Sequence, residues 1–451
     1  MNGSGEERQL HAAKTLLTQL AEQINSRISV KLWDGTLVPM GQEVEPDLCI
    51  SISGPGVVGS LLRRPTPDNL VRHYARGQID FQGTDLYSFI DNARVGNSRK
   101  RAKSVRKSAI ARTLLPFLFT PPESSAVDHR WAGDETGQGR KQGDNKDFIQ
   151  FHYDVSNEFY SLFLDSNMVY SCGYFRDWEG ALEQAQVDKI DMICRKLRLQ
   201  PDERMLDIGC GWGALITHAA GRYGVRAHGI TLSEKQLEFA QEKIRRLGLE
   251  DRVTVELRDY ADVEGEYDKI SSIGMCEHVG IDNMAGYMRK VGSLLRDRGI
   301  FLNHAITRPG KESMKKFRKV RPERRLVQKY IFPGGELDHI GHMTTALEAS
   351  GFEVHDIEGW REHYARTTMM WCQRLSERRD EAVTLVGEEK YRMWILYLAG
   401  VSFAFRDGSI RIFQTVATRH ASKGASTMPP TREHLYSPPA AAASATDSGS
   451  T

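Results

Sequence analysis

One stretch of the chain, residues 204–213, restricts the possible folds more than any other. It reads Arg-Met-Leu-Asp-Ile-Gly-Cys-Gly-Trp-Gly, and the apolar Leu206 and Ile208 predict a buried strand. Closely spaced glycines then allow the backbone to turn tightly, and residues 215–220 predict the start of a helix. The stretch therefore indicates a strand, a glycine turn and a helix that together hold a small molecule. An ordinary strand-to-helix turn is the alternative interpretation.

The spacing of the glycines separates two classes of nucleotide-binding protein. The pattern Gly-x-Gly-x-Gly, from Gly209 to Gly213, is tighter than the Gly-x-Gly-x-x-Gly of dinucleotide-binding folds. With Asp207 before the first glycine, it is more similar to the pattern of S-adenosylmethionine (SAM) methyltransferases than to that of dehydrogenases. Strands and helices then alternate as far as Ile306, which predicts a mostly parallel sheet with ligands at the carboxyl ends of its strands.

Size, charge and cysteine usage set only broad limits on function. The chain has 451 residues, enough for two or three domains, and its net charge of +2 gives no argument for a polyanionic partner. The six cysteines form no Cys-x-x-Cys pair, which favours a reduced, cytoplasmic chain. No signal-peptide pattern and no apolar run of membrane-spanning length is found, so we expect any membrane contact to be peripheral.

Changes in composition predict four segments along the chain. The first contains a helical pattern and a hairpin around the Asp34-Gly35 turn, and the last is too poor in apolar residues to pack. The predicted segments are a small N-terminal α+β domain (1–120), a flexible polar linker (121–146), a catalytic domain (147–420) and a disordered tail (421–451).

Two basic clusters lie outside the predicted sheet. The first precedes the apolar residues 114–119 and comprises Arg99, Lys100, Arg101, Lys103, Arg106, Lys107 and Arg112. The second comprises Lys311, Lys315, Lys316, Arg318, Lys319, Arg321, Arg324, Arg325 and Lys329. Solvated helix faces explain both clusters. The alternative is an interfacial element whose cations meet anionic lipid headgroups while apolar residues enter the acyl boundary.

Several motifs occur in an order and at intervals that are much more specific than the glycine turn alone. They are Tyr170-Ser171-Cys172, residues 206–213, residues 229–236 (Gly-Ile-Thr-Leu-Ser-Glu-Lys-Gln), Glu277-His278-Val279-Gly280 and residues 329–333 (Lys-Tyr-Ile-Phe-Pro). With these motifs, residues 151–419 resemble the cyclopropane-fatty-acyl-phospholipid synthase family, which includes the mycolic acid cyclopropane synthases. The resemblance implies an α/β class I SAM-methyltransferase fold, Rossmann-like and seven-stranded, with helical insertions at the lipid site.

The resemblance also implies an activity. The family transfers a methylene group from SAM to the cis double bond of an unsaturated phospholipid acyl chain, which becomes a cyclopropane, with bound bicarbonate as the base. The residues that match its bicarbonate site are Cys172, Glu277, His304, Ile306 and Tyr364. An alkylated alkene is a carbocation, and a small oxyanion held by several donors can take a proton from the new methyl group without capturing that cation.

Each of these residue types suits a bicarbonate site. The side chains of His304 and Tyr364 would donate hydrogen bonds to the ion, and Cys172 and Ile306 would offer backbone N–H groups. Glu277 would accept the hydrogen of the ion and orient it. The residues that the resemblance places at SAM are Tyr170, Ser171, Asp207, Gly209, Gly211, Gly213, Thr231, Leu232, Gln236, Asp259 and Tyr260.

Some of these positions have other interpretations. Ser233 and Gln236 also have the spacing of a helix capping box. His339-x-x-His342 lacks a third ligand, so we predict a structural pair and no metal. The family usually has phenylalanine where this chain has Cys276, and a cysteine proposed as catalytic where it has Val401. Since a bicarbonate base needs no thiolate, we expect Val401 to be tolerated.

Two other functions remain open from the sequence. A related lipid methyltransferase would give a methyl- or methylene-branched acyl chain, and a non-catalytic homologue would only bind lipid. We expect no nucleic-acid partner, because a catalytic Asn-Pro-Pro-Tyr-type motif is missing. The expected partners are an unsaturated phospholipid and the anionic inner face of the membrane, and the resemblance implies a homodimer.

Overall fold

The computed structural model describes residues 3–94, 115–121, 156–319, 322–331, 334–421, 423–426 and 428–436. The chain divides into two compact units, each assembled from separate segments. The first unit comprises Met1–Cys172, Arg308–Glu336 and Arg361–Arg411, and the second comprises Gly173–Thr307, Leu337–Trp360 and Ile412–Thr451. The bounds of the domains stay a prediction. None of the described helices is long and apolar enough to cross a membrane.

The described residues form eleven strands and seventeen α-helices. The strands are β1 (Ser29–Lys31), β2 (Leu37–Pro39), β3 (Cys49–Ile52), β4 (Ile79–Gln82), β5 (Arg204–Ile208), β6 (Arg226–Thr231), β7 (Val253–Leu257), β8 (Tyr267–Ile273), β9 (Leu295–Thr307), β10 (Phe352–Gly359) and β11 (Arg411–Arg419). The helices are α1 (Gly3–Ile24), α2 (Pro55–Arg63), α3 (Pro67–Ala75), α4 (Leu86–Arg94), α5 (Asn157–Ser161), α6 (Leu182–Leu197), α7 (Ala214–Tyr223), α8 (Glu234–Leu247), α9 (Cys276–Val279), α10 (Met284–Leu294), α11 (Met314–Phe317), α12 (Pro322–Tyr330), α13 (Ile340–Glu348), α14 (Arg361–Glu377), α15 (Arg379–Val386), α16 (Glu388–Arg406) and α17 (Glu433–Tyr436). Short 3₁₀ helices lie at Leu115–Phe117, Tyr260–Asp262 and Ile281–Asn283.

The first unit contains a four-stranded sheet in the order β2-β1-β3-β4. Strands β1 and β2 form the hairpin predicted around Asp34-Gly35, and Asp34 Oδ1 accepts a hydrogen bond from the Thr36 N–H at 3.0 Å in the turn. Arg392 of α16 ties this sheet to the helices of the same unit, because its guanidinium donates to Asp80 Oδ1 at 2.7 Å and to the Tyr74 carbonyl at 2.7 Å.

Helices α14 and α16 of the first unit enclose a set of buried aromatic side chains. Trp371 and Trp394 are 1% and 3% exposed, and their rings lie 6.2 Å and 5.9 Å from that of Phe163. A stripe of this kind predicts core packing, and these side chains do form core.

The second unit is organised around a seven-stranded sheet in the order β10-β11-β9-β8-β5-β6-β7. The pairs β5–β6, β6–β7, β5–β8 and β8–β9 are parallel, and β10–β11 is antiparallel, which confirms the predicted mostly parallel sheet. The chain runs outward from β5 to β7 and then returns to β8 beside β5. Ligands of open α/β sheets bind at such a reversal, outside the carboxyl ends of the strands.

One segment of the predicted disordered tail is ordered. Leu435 in α17 is 3% exposed, and its carbonyl accepts a hydrogen bond from Arg195 Nη1 at 3.2 Å. Arg432 forms an ion pair with Asp356. Disorder is therefore wrong for residues 428–436, since one apolar side chain and one ion pair suffice to anchor a short polar segment.

Parts of the predicted surface elements are not described. The first basic cluster and residues 122–146 of the linker lie outside the described residues. Within the second cluster, Lys311, Lys315, Lys316, Arg318 and Lys319 are exposed. Lys329 instead pairs with Asp68 at 3.2 Å. This cluster is therefore partly a solvated surface and partly an internal contact of the first unit.

Candidate active site

The glycine turn (residues 209–213) lies against the end of β6. The N–H groups of Gly209 and Cys210 both donate to the Ile230 carbonyl, at 3.0 Å and 2.9 Å. The φ angles of Gly209, Gly211 and Gly213 are +79°, +54° and +80°, a region that favours glycine. A Cβ on Gly209 would lie 2.5 Å from Met275 Sδ, whereas one on Gly211 would have no atom within 4 Å. The turn is therefore packed on one side and open at Gly211.

The acid before the glycines is held inside the unit. Asp207 is 2% exposed, and its Oδ1 accepts a hydrogen bond from Ser271 Oγ at 2.7 Å. Burial raises the pKa of Asp207 to about 6, and the Ser271 hydrogen bond opposes this rise. Asp207 therefore fixes the end of β5 beside the turn.

The capping box predicted at the start of α8 is only half formed. Ser233 Oγ accepts a hydrogen bond from the Gln236 N–H at 3.4 Å, as the motif requires. The Gln236 side chain does not return to the Ser233 N–H, because its Oε1 accepts from Thr231 Oγ1 at 2.7 Å. Thr231 Oγ1 accepts the Ser233 N–H instead, at 3.2 Å.

The remaining predicted SAM residues fall into both units. Asp259 and Tyr260 follow β7; Asp259 Oδ1 accepts the Ala261 N–H at 2.9 Å, and the Tyr260 ring meets that of Tyr287 at 4.8 Å. The residues after β5, β6 and β7, including Leu232, thus lie at one edge of the sheet. Tyr170 and Ser171 belong to the first unit, where the Tyr170 ring lies 5.1 Å from Trp371. Their contact with SAM stays a prediction.

Glu277 is the second residue of α9, which follows the end of β8 by two residues, and it is 8% exposed. Its Oε1 accepts a hydrogen bond from the Ile306 N–H at 2.5 Å. Its Oε2 is buried and has no hydrogen-bond partner within the described part of the chain. Burial raises the pKa of Glu277 to about 7, although the Ile306 N–H opposes the rise. In the described structure the Ile306 N–H is directed at Glu277, and its contact with bicarbonate stays a prediction.

His304 lies in β9, next to Glu277 in the same unit, and is 1% exposed. Its Nδ1 is 3.0 Å from Gln414 Nε2, and its ring meets that of Trp360 edge-on at 5.5 Å. Its Nε2 is buried, and no residue that the structure describes forms a hydrogen bond with it. Burial lowers the pKa of His304 well below its ordinary value, and the charges of Lys189 and Lys196 lower it further. The imidazole is therefore neutral.

The other two predicted catalytic residues belong to the first unit. Cys172 is fully buried, and the Tyr364 ring lies 4.6 Å from that of Phe405. The structure therefore brings Glu277, His304 and Ile306 together at the ends of β8 and β9. The part of Cys172 and Tyr364 in the same site stays a prediction.

Cys276 and the histidine pair His339 and His342, which the sequence analysis singled out, form hydrogen bonds with other residues of this protein. Cys276 Sγ donates to Asn303 Oδ1 at 3.2 Å, and burial raises the pKa of this thiol. His339 Nδ1 accepts the His342 N–H at 3.1 Å, and His342 Nδ1 lies 2.6 Å from Asp338 Oδ2. Both histidines therefore have structural contacts at the start of α13. The described residues contain no group of three or more side chains suited to a metal ion.

Sequence reasoning missed Gln414 and Lys196, which stand behind His304. Gln414 lies in the buried part of β11, and Lys196 lies among the buried residues of α6. A buried polar residue must find a partner, so a polar position within an apolar pattern is the signal that singles out such residues.

Comparison with known proteins identifies the family. Residues 140–415 match the family model described as mycolic acid cyclopropane synthetase. The chain is 35% identical to a probable fatty acid methyltransferase of Pseudomonas putida, over 93% of this chain and 100% of that protein. It is 38% identical to the cyclopropane-fatty-acyl-phospholipid synthase of Escherichia coli K12, over 60% of this chain and 68% of that protein.

A solved structure supports the same assignment. The crystal structure of mycolic acid cyclopropane synthase CmaA1 complexed with SAH and CTAB is 32% identical, with a TM-score of 0.57. The match covers 60% of this chain and 98% of that one, and it confirms the predicted class I SAM-methyltransferase fold. The chain therefore belongs to the mycolic acid cyclopropane synthetase family.

Proposed function

We propose that the protein transfers a methylene group from SAM to the cis double bond of an unsaturated phospholipid acyl chain and so forms a cyclopropane. The observation that carries this proposal is the pair of buried side chains at the ends of β8 and β9. Glu277 Oε2 is an acceptor and His304 Nε2 a ring nitrogen, and neither has a hydrogen-bond partner among the described residues. Because buried polar atoms are nearly always satisfied, these two indicate a small polar ligand.

The glycine turn fits SAM. Its open side at Gly211 leaves room for a ligand to approach the backbone, and α7 begins directly after the turn at Ala214. When bound, SAM supplies an electrophilic methyl group on its sulfonium. The residues at the ends of β5, β6 and β7 would hold it beside the reversal of the sheet, where ligands of this fold bind.

Substitution of Gly211 by alanine tests the cofactor site, with Gly248→Ala as a matched control. Both glycines have positive φ, +54° and +64°, and a Cβ on either has no atom within 4 Å. Each substitution is expected to lower the free energy of unfolding by about 1–2 kcal/mol. Only Gly211→Ala adds a methyl group beside the ligand, so only it should weaken SAM binding, by roughly tenfold or more. Equal SAM affinities of the two variants in calorimetry would place SAM elsewhere.

The pair Glu277 and His304 also fits bicarbonate. This ion carries one O–H donor and a negative charge shared by its other oxygens. Glu277 Oε2 would accept the hydrogen, and a proton on His304 Nε2 would be donated to the charged part. When bound, the ion supplies a base for the proton that must leave the alkylated acyl chain. Both side chains are fixed by neighbours, Glu277 by Ile306 and His304 by Gln414, so the ion would meet a preorganised site.

We further propose contact with an anionic membrane surface. The apolar loop (residues 115–121) exposes Leu115, Leu118 and Phe119, which are 57%, 42% and 94% exposed. The loop is nonetheless held in place, since Phe117 is fully buried and Arg63 Nη1 donates to the Leu118 carbonyl at 3.1 Å. The first basic cluster ends three residues before the loop in sequence. An apolar tip beside several cations is suited to anionic lipid headgroups.

Vesicle binding tests this contact. The double substitution Leu118→Ser with Phe119→Ser is expected to lower partitioning onto anionic phospholipid vesicles by roughly tenfold or more, because the apolar area lost would otherwise enter the bilayer. The control is Leu247→Ser, at a side chain that is 50% exposed at the end of α8. Sedimentation with vesicles measures both, and equal binding of the two proteins would contradict the contact. Homodimer formation, a cytoplasmic location and the lack of a nucleic-acid partner stay predictions.

Lipid analysis tests the reaction itself. We expect expression in a host without cyclopropane lipids to give phospholipid acyl chains that gain one CH2 unit and lose their olefinic proton signals. A second candidate is a lipid methyltransferase that forms a methyl- or methylene-branched chain, which the name of the Pseudomonas putida relative favours. A methylene branch would gain the same mass but retain olefinic protons. SAM binding without any modified lipid would instead support a non-catalytic, lipid-binding homologue.

A further inference from the structure

A chain of buried polar groups stands behind His304 in the second unit. Lys196 Nζ donates to Gln414 Oε1 at 2.7 Å, and Gln414 Nε2 lies 3.0 Å from His304 Nδ1. The three residues are at most 1% exposed. Lys196 also forms an ion pair with Glu358, and its ammonium lies 5.1 Å from the centre of the Trp360 ring. These side chains come from α6 and from the neighbouring strands β10, β11 and β9, so the packing of α6 on the sheet brings them together.

The direction of each hydrogen bond in this chain follows from its first member. An ammonium group has only donors, so the oxygen of the Gln414 amide must face Lys196. The amide nitrogen then faces His304, and because it can only donate, His304 Nδ1 must accept. A neutral imidazole carries one proton, so that proton is on Nε2.

We propose that Lys196 and Gln414 are positioning residues that fix His304 as the tautomer with its proton on Nε2. This atom is buried and has no hydrogen-bond partner among the described residues. The inference rests on the proposed function, in which His304 donates to an anion that acts as the base. The other tautomer would present a lone pair to that anion and repel it.

The charge of Lys196 has a second effect on the same ring. It adds to burial and to Lys189 in lowering the pKa of His304, and so disfavours the imidazolium. An imidazolium beside bicarbonate could give up its proton and neutralise the base before the base acts. A neutral Nε2–H group can hold the ion but cannot protonate it. Lys196 therefore sets the tautomer of His304 through Gln414, and it adds to burial and Lys189 in keeping the ring neutral.

The tautomer can be observed in the free protein, without SAM or lipid. ¹⁵N-histidine labelling and long-range ¹H–¹⁵N correlation spectra distinguish a protonated from an unprotonated ring nitrogen, and the spectrum of His304→Asn assigns the signals. We expect the wild-type ring to be protonated on Nε2. In Gln414→Glu, the new carboxylate pairs with Lys196 and accepts from Nδ1, so we expect the proton on Nδ1. In Lys196→Met the amide is free to turn over, and both tautomers are expected.

Lys269→Met is the matched control for Lys196→Met. Lys269 is also a buried lysine of the second unit with a carboxylate partner, since its Nζ lies 3.5 Å from Glu203 Oε1. We expect this control to leave the His304 spectrum and the turnover number unchanged. Gln414→Glu, in which the new carboxylate still accepts from Lys196, is expected to lower kcat roughly 10- to 100-fold while the KM for SAM is retained.

Some outcomes would overturn the inference. A wild-type ring protonated on Nδ1, or a Gln414→Glu ring still protonated on Nε2, would show that Gln414 does not set the tautomer. A Lys269→Met variant with the same mixture of tautomers as Lys196→Met would show a general effect of a lost buried charge. Failure of the proposed function is seen separately, as a wild-type protein that has the Nε2 tautomer but forms no cyclopropane lipid.

Discussion

Replacement of Glu277 by glutamine is expected to lower cyclopropane formation roughly 10²- to 10⁴-fold while leaving SAM affinity unchanged. The amide has nearly the shape of the carboxylate and can still accept the Ile306 N–H through its oxygen. At the position of Oε2 it would present N–H donors in place of an acceptor, and so could not take the hydrogen of a bound bicarbonate. Turnover with SAM and unsaturated phospholipid vesicles, together with calorimetry of SAM binding, measures the two effects.

The same substitution is expected to stabilise the folded protein at alkaline pH. Burial raises the pKa of Glu277 from 4.5 to about 7, so the folded state disfavours the ionised form. Between these values the folded protein retains a proton that the unfolded chain loses, and stability falls as the pH rises. A pKa rise of this size lowers the free energy of unfolding by about 3 kcal/mol above pH 7. The variant has no carboxyl group to ionise at this position, so it would not lose this stability. The gain should disappear as the pH falls toward 4.5.

Denaturant unfolding of Glu277→Gln at pH 5 and pH 8 checks this pH dependence, with Asp191→Asn as the control of opposite sign. Burial alone would raise the pKa of Asp191, but the His218 ring 3.7 Å away, the hydrogen bond from Tyr223 and the charge of Arg195 hold it well below its ordinary value. Asp191→Asn should therefore destabilise the protein to a similar extent at pH 5 and pH 8, because both lie above the ordinary pKa of 3.8. A Glu277→Gln variant less stable than wild type at pH 8 would show that the Ile306 hydrogen bond outweighs burial.

Activity should show the ionisation of Glu277 directly. Only the carboxylate has an acceptor free for the hydrogen of bicarbonate, so kcat is expected to rise as the pH increases through about 7. A profile that is flat between pH 6 and 8 would indicate that the ionisation of Glu277 does not limit the reaction.

The elements that were predicted best are those whose conformation is fixed by residues close together in the sequence. Helix α8 begins after Ser233, as the capping-box spacing predicted, and it ends before Gly248, because an N-cap hydroxyl and a glycine at positive φ fix its two ends. The glycine turn is also local, since alternate residues from Gly209 to Gly213 adopt positive φ there. The mostly parallel sheet followed from the alternation of strands and helices.

The parts of the site that the sequence did not predict depend on pairs of distant residues. Lys196 and Gln414 are 218 positions apart, and each taken alone is an ordinary residue of a helix or a strand. The Ile306 N–H could donate to an ion or to a side chain, and its hydrogen bond to Glu277 joins residues 29 positions apart. Helix α17 likewise depends on contacts with Asp356 and Arg195 that no local pattern indicates. The periodicity and composition of a sequence predict which residues are buried. They do not predict which distant residue a buried polar group contacts, because that depends on the tertiary structure.

Three substitutions of His304 separate donation to an anion from simple packing. Glutamine can place an N–H near the position of Nε2, whereas asparagine reaches only the position of Nδ1 and its contact with Gln414. We expect His304→Asn and His304→Ala to lower kcat roughly 10²- to 10³-fold, as for the loss of one oxyanion donor, and His304→Gln to retain more activity than either. SAM affinity should be unchanged in all three.

The ranking of the three variants by kcat tests the role of His304 as a hydrogen-bond donor more sharply than the loss of activity in any one of them. His228 provides the control, because it too is a partly buried histidine of this sheet, with its Nδ1 2.7 Å from Tyr267 Oη, but it lies within β6 and away from the carboxyl end of β8. His228→Asn is therefore expected to leave kcat nearly unchanged. If His304→Asn were as active as His304→Gln, a donor at the Nε2 position would not matter and the histidine would serve packing alone. If instead the glutamine variant alone retains turnover, the N–H that Lys196 and Gln414 leave on Nε2 is the group that holds the base.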